Sequence, residues 1–142
     1  MVDLKAKPFY LDDEAIKWVE ETIEGMSIEE KIGQLFCPVG FSTDPEVLKA
    51  MLSKGIGGMM YRAGLGKDIQ DTHRFLQDNS KIPLLLAANL EAGGVGSAID
   101  GTNFGKPMQV AATDDEEQAY RLGLISCSEG AAVGCNWSFA PI

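Results

Sequence analysis

Apolar positions along this chain recur at two different spacings, and the switches between them predict its elements. Over residues 12–24 they fall every three or four places, so that Ala15, Trp18, Val19, Thr22 and Ile23 share one helical face. Asp12, Asp13 and Glu14 stand where a helix dipole favours negative charge, and Gly25 is a natural stop. A second helix starts at once: Ser27 and Glu30 have capping-box spacing, and Ile28, Ile32 and Leu35 form its expected buried stripe. Residues 35–39 read as a strand that Pro38 keeps short. Asp44-Pro45 opens another helix, expected to bury Val47, Leu48, Met51 and Leu52 and to close at Gly55.

The apolar run 56–61 is the next expected strand, its two glycines admitting a close neighbour. A helix over 68–78 places Ile69, Thr72, His73 and Leu76 on one side. Residues 82–88 are apolar throughout, as in a parallel strand covered on both faces. A long glycine-rich loop, 89–112, follows; loops of that length in a compact domain are usually functional. Thr113 then reads as the cap of a long helix with Asp114, Asp115, Glu116 and Glu117 in its first turn. Its small stripe, Ala119, Gly123, Ser126 and Gly130, suits close packing, and residues 135–142 read as a last strand.

Two helices followed by strand–helix repeats define an α/β chain with a parallel sheet of about four strands. A closed (β/α)8 barrel needs eight strands and ~250 residues. With 142 residues, the chain is either a small open sheet or half a barrel, preceded by helices.

Composition narrows the function classes. The net charge of −9 repels phosphate backbones, so nucleic acid is not an expected partner. The amino terminus lacks the apolar core of a secretory signal, and no apolar run reaches the ~20 residues that span a bilayer. A cytoplasmic protein without a membrane partner is expected. Three cysteines, Cys37, Cys127 and Cys135, sit in apolar surroundings without a Cys-x-x-Cys pair and read as buried thiols. His73 is the single histidine and reads as a packed residue, which leaves no metal site. Trp18 and Trp137 read as core.

Candidate chemistry gathers after the 82–88 strand. Asn89 and Glu91 stand two residues apart at its carboxyl end, where α/β proteins place their ligands. An amide and a carboxylate there suit the hydroxyls of a polar ligand; pairing of Glu91 with a lysine, or capping of a helix, is the structural alternative. Gly93, Gly94 and Gly96 permit positive φ and close backbone approach. The dinucleotide fingerprint is absent, and the faintly Walker-like Gly64-Leu65-Gly66-Lys67 has Asp68 where a magnesium-binding hydroxyl belongs. No serine has a nucleophile-elbow context.

Several segments resemble glycoside hydrolase family 3, in order: 26–36, Gly55-Ile56-Gly57-Gly58, the run from Ile82-Pro83-Leu84 to Glu91-Ala92-Gly93-Gly94, Val110-Ala111-Ala112-Thr113, and 132–141. The chain is most similar to the bacterial β-N-acetylglucosaminidase-like members. The resemblance implies an extension and helix over 1–25, and the first half of a TIM-like barrel over 26–142. It implies a retaining β-glycosidase acting on a β-linked oligosaccharide or amino-sugar substrate, with no cofactor. Asn89, Glu91, Gly93 and Gly94 would be its substrate-binding residues, with Asn89 standing where the family usually has aspartate. Retaining cleavage needs a nucleophile and a proton donor. By the resemblance these belong to later strands, so no catalytic residue is assigned here and the chain alone is expected to be inactive. A half-barrel with open edges is also expected to self-associate. The rival readings are a non-catalytic carbohydrate- or partner-binding module and a flavodoxin-like nucleotide binder.

Overall fold

The computed structural model describes residues 2–62 and 64–141. In chain order the elements are α1 (Asp13–Gly25), α2 (Ile28–Gly33), β1 (Val39–Gly40), α3 (Pro45–Leu52), β2 (Gly58–Tyr61), α4 (Gly66–Asp78), β3 (Leu85–Ala88), a 3-10 turn (Gly94–Gly96), α5 (Pro107–Ala111), α6 (Glu116–Ala132) and β4 (Trp137–Ser138). The four strands form one sheet in the order β1-β2-β3-β4, every pair parallel. Each neighbour in the sheet is thus the next strand in the sequence, reached by a helical crossover. Ile142, the end of the expected last strand, lies outside the described residues.

Register sorts the side chains. Val39 pairs with Met60, Met60 with Ala87, and Ala87 with Trp137, so these four form a row on one face. Their neighbours Met59, Tyr61 and Leu86 point the other way, into a core shared with Leu48, Ile69 and Leu76 beneath α3 and α4. Only this helix side is sealed. On the opposite face Leu85 is 52% exposed and Trp137 39%. The expectation that 82–88 is covered on both faces therefore fails at Leu85, because helices lie on one side of the sheet alone.

Three of the expected helix caps are present. Asp12 accepts from the Ala15 N–H at 2.8 Å, Ser27 and Glu30 form the reciprocal box, and Asp44 accepts from Glu46 ahead of Pro45. The four apolar-face residues of α4 are all buried. Gly57 and Gly58 let the end of α2 and the β3 backbone approach, since a Cβ would meet the Gln34 oxygen at 2.0 Å and the Leu85 oxygen at 2.6 Å.

Other expectations need correction. The stripe of α2 is not buried: Ile28, Ile32 and Leu35 are exposed, and none of the described residues buries them. Helix α1 likewise buries no residue, so Trp18 is half-exposed rather than core. Val47 is exposed, while Leu48 carries the burial of α3. The cap of α6 is Asp115, not Thr113, because Asp114 adopts φ 52 and starts the helix later; the Thr113 hydroxyl donates to the Val110 carbonyl instead. Within the small stripe, Ser126 and Gly130 pack while Ala119 and Gly123 are exposed. Cys127 is exposed rather than buried; Cys37 and Cys135 are half-buried. Burial pushes the Cys135 thiol up to about 11 and raises Cys37 as well.

Candidate functional site

The carboxyl end of the sheet is where the candidate residues converge. Because Met60 pairs with Ala87, the residues two places on, Arg62 and Asn89, stand level just past β2 and β3. The ladder still holds there: the Arg62 N–H donates to the Gly40 carbonyl at 3.1 Å, and the Phe139 N–H to the Ala88 carbonyl at 3.1 Å. Strand alternation then aims both side chains to the open face, above Met60 and Ala87. It sets Phe41 on one flank and Phe139 on the other, the latter edge-on to Trp137 with ring centres 4.6 Å apart. Arg62 and Asn89 are exposed and share a cleft of about 250 Å³ with Met60, Tyr61 and Gly96. Polar donors at the mouth of a cleft suit a hydroxylated ligand.

Glu91 is not brought to Asn89. It is half-buried on a separate groove of about 750 Å³, which runs past Leu90, Val110, Ala119, Gly123 and Ser138. Gly93 and Gly94 are buried, and their freedom is used inside the loop. Gly93 has φ 111, and a Cβ on it would meet the Thr102 oxygen at 2.4 Å. A Cβ on Gly94 would meet the Glu129 carboxylate at 1.9 Å.

The loop after β3 is correspondingly fixed rather than open. Glu129 on α6 accepts from the Thr102 N–H at 2.8 Å and from its hydroxyl at 2.5 Å. The Ser126 hydroxyl donates to the Leu90 carbonyl at 2.8 Å. Asp100 accepts from the Gly66 N–H at 2.8 Å, so a carboxylate of the loop caps α4. That cap occupies the helix start which a Walker-type phosphate would need, and Lys67 pairs with Asp71. The expected loop 89–112 also contains a short helix, α5, opened by Pro107 at its first position.

Asn136 and His73 hold the frame behind the rim. The Asn136 side chain accepts from the Leu86 N–H at 2.7 Å and donates to the Leu84 carbonyl at 3.0 Å, binding β4 to β3. His73 is buried, 2.8 Å from the Val133 carbonyl through Nδ1. A carbonyl only accepts, so Nδ1 carries the proton; Nε2 has no partner among the described residues. Burial lowers the His73 pKa, against a smaller opposing effect of the Val133 carbonyl.

Arg62 and Asn136 escaped the sequence reading. Arg62 was legible in principle, since it bears the same relation to its strand end as Asn89 does. Among the described residues no group of three or more His, Cys, Asp or Glu is placed to hold a metal ion, and no helix is long and apolar enough to cross a membrane.

Comparison with known proteins matches residues 27–142 to the Glycosyl hydrolase family 3 N terminal domain. A β-N-acetylglucosaminidase/β-glucosidase of Cellulomonas fimi is 40% identical over 144 residues, covering all of this chain and 25% of that protein. The β-glucoside phosphorylase BglX bound to 2FGlc superposes with a TM-score of 0.88 at 45% identity, over 97% of this chain and 25% of that one. A family 3 β-N-acetylglucosaminidase from Paenibacillus sp. str. FPU-7 gives a TM-score of 0.72 at 26% identity, over 82% of this chain and 24% of that one. This chain thus spans about a quarter of the length of the relatives it matches.

Proposed function

The chain belongs to glycosyl hydrolase family 3, as an amino-terminal part of its barrel domain, and from that premise we propose that it supplies one wall of the saccharide site of a β-glycosidase. The observation that carries this reading is that Arg62 and Asn89, just past the carboxyl ends of β2 and β3, line one cleft. In it, Asn89 contacts the hydroxyls of a β-linked glycoside or amino sugar directly. Glu91 contributes from the groove side, while Gly93 and Gly94 set the path of the loop that presents both residues. The nucleophile and proton donor of retaining chemistry come from strands outside this chain. The substrate-facing side of the sheet is apolar and uncovered, so self-association is part of the same proposal.

An assay of the purified 142-residue chain on aryl β-N-acetylglucosaminide and aryl β-glucoside tests the reading. No turnover is expected. Robust turnover abolished by Glu91→Ala would overturn it.

Arg62 favours a second reading, transfer to phosphate. Two of the solved structures carry the name β-glucoside phosphorylase BglX, at 45% and 44% identity. In such a transfer the glycosidic C–O bond breaks and an oxygen of hydrogen phosphate bonds to the anomeric carbon. The phosphate's proton goes to the departing alcohol.

A further inference from the structure

Glu129, half-buried on α6, spends both carboxylate oxygens on one residue of the loop after β3. One oxygen accepts from the Thr102 N–H at 2.8 Å and the other from the Thr102 hydroxyl at 2.5 Å. It has no ion-pair partner among the described residues, so these two charge-assisted bonds are what hold the anion in place. One turn earlier on the same face of α6, the Ser126 hydroxyl donates to the Leu90 carbonyl. The helix therefore grips the chain on both sides of the Gly94–Gly96 turn.

That turn is wedged between Glu129 and the rim. A Cβ on Gly94 would meet a carboxylate oxygen of Glu129 at 1.9 Å and its Cβ at 2.6 Å. The Thr102 carbonyl accepts from the Val95 N–H at 3.2 Å, which carries the contact into the turn. On the far side, a Cβ on Gly96 would stand 1.5 Å from the Asn89 carbonyl oxygen and 2.6 Å from its carbonyl carbon. Asn89 and Gly96 then line the same cleft. Contacts this close leave no slack, and a packed interior transmits displacement.

We infer that Glu129 is a positioning residue for the saccharide wall: through Thr102 and the Gly94–Gly96 turn it fixes the Asn89 backbone, and so the place of the Asn89 amide in the cleft. This role rests on the reading of Asn89 as a glycoside contact and deepens it by naming what holds that contact. Glutamine at 129 can do the same work, its carbonyl accepting from the Thr102 N–H and its amide donating to the hydroxyl oxygen. Alanine cannot.

The first test is NMR of the Asn89 side-chain amide in the 142-residue chain. Glu129→Ala should move that resonance, Glu129→Gln should return it close to its native place, and Asp44→Ala, which removes the distant α3 cap, should leave it alone. An Asn89 amide unmoved by Glu129→Ala, or moved as far by Asp44→Ala, would overturn the role. The second test is kinetic, in a whole enzyme carrying this segment, with aryl β-N-acetylglucosaminide as substrate. Glu129→Ala should raise KM up to about tenfold, the worth of one misplaced hydrogen bond, with kcat within about twofold. Glu129→Gln should restore KM. A fall in kcat at constant KM would mark mere loss of folded enzyme and overturn the positioning role. Asn89→Ala separates the two claims. If it raises KM while Glu129→Ala does not, the positioning role falls and the saccharide wall stands. If it leaves KM unchanged, the saccharide wall itself falls and the role given to Glu129 falls with it.

Discussion

At the scale of single residues, the buried imidazole of His73 is the clearest case of physics fixing a protonation state. Its Nδ1–H is committed to the Val133 carbonyl and its Nε2 is shut away from water. Charging the ring would bury a cation, which is why its pKa lies below the ordinary imidazole value. The unfolded chain binds that proton more readily than the folded one. Stability should therefore be steady above the ordinary histidine range, ~6.5, and fall as pH drops from there toward the lowered folded value. Thermal melts between pH 8 and about pH 5 should show this decline in the native chain and a flatter profile in His73→Asn. That variant keeps a donor for Val133 but cannot titrate, and its cost should be about 1–3 kcal/mol. A slope identical in both proteins would assign the pH dependence to other groups. The sequence placed His73 on a packed face, but its partner lies 60 residues away and no local pattern announces it.

Among the elements, the loop after β3 depends on one close approach. A Cβ on Gly96 would lie 1.5 Å from the Asn89 carbonyl oxygen, a backbone atom that cannot turn aside. Gly96→Ala should destabilise the chain by about 2–3 kcal/mol in urea unfolding and displace the Asn89 rim. A loss within ~0.5 kcal/mol would mean that the loop relaxes freely there. Glycines, caps and the α4 stripe were legible because each acts over a few residues of sequence. The alternating order of strands and helices was legible for the same reason. What escaped depends on partners far along the chain. The α2 stripe has perfect helical spacing, yet spacing names a face without naming what covers it. Asn136 is an ordinary polar residue until β3 lies beside it. In the candidate site, Asn89 is legible from its place at a strand end, and Arg62 stands at the corresponding place after β2. Glu91 was paired with Asn89 by spacing alone, and the turn at Leu90 sends it to another cavity.

For the molecule as a whole, the imbalance between the two faces of the sheet governs behaviour in solution. One face is sealed by α3 and α4, while the other exposes Leu85 and Trp137, between β1 and β4, whose outer edges no described strand pairs. Association is expected at micromolar concentration, read by light scattering as a mass above that of one chain. Added salt should strengthen it, because it screens the repulsion between chains of net charge −9. Leu85→Glu should shift the population toward monomer. A compact monomer at all concentrations and salts would show that the open face is tolerated in water.

The side chain of Asn136 has a mechanical consequence. β4 contributes only Trp137 and Ser138 to the ladder, and just ahead of them this one amide grips both an N–H and a C=O of its neighbour. Tension applied at the carboxyl end would reach that grip before any helix. Asn136 thus acts as a latch between β3 and β4, setting the force at which β4 peels from its neighbour.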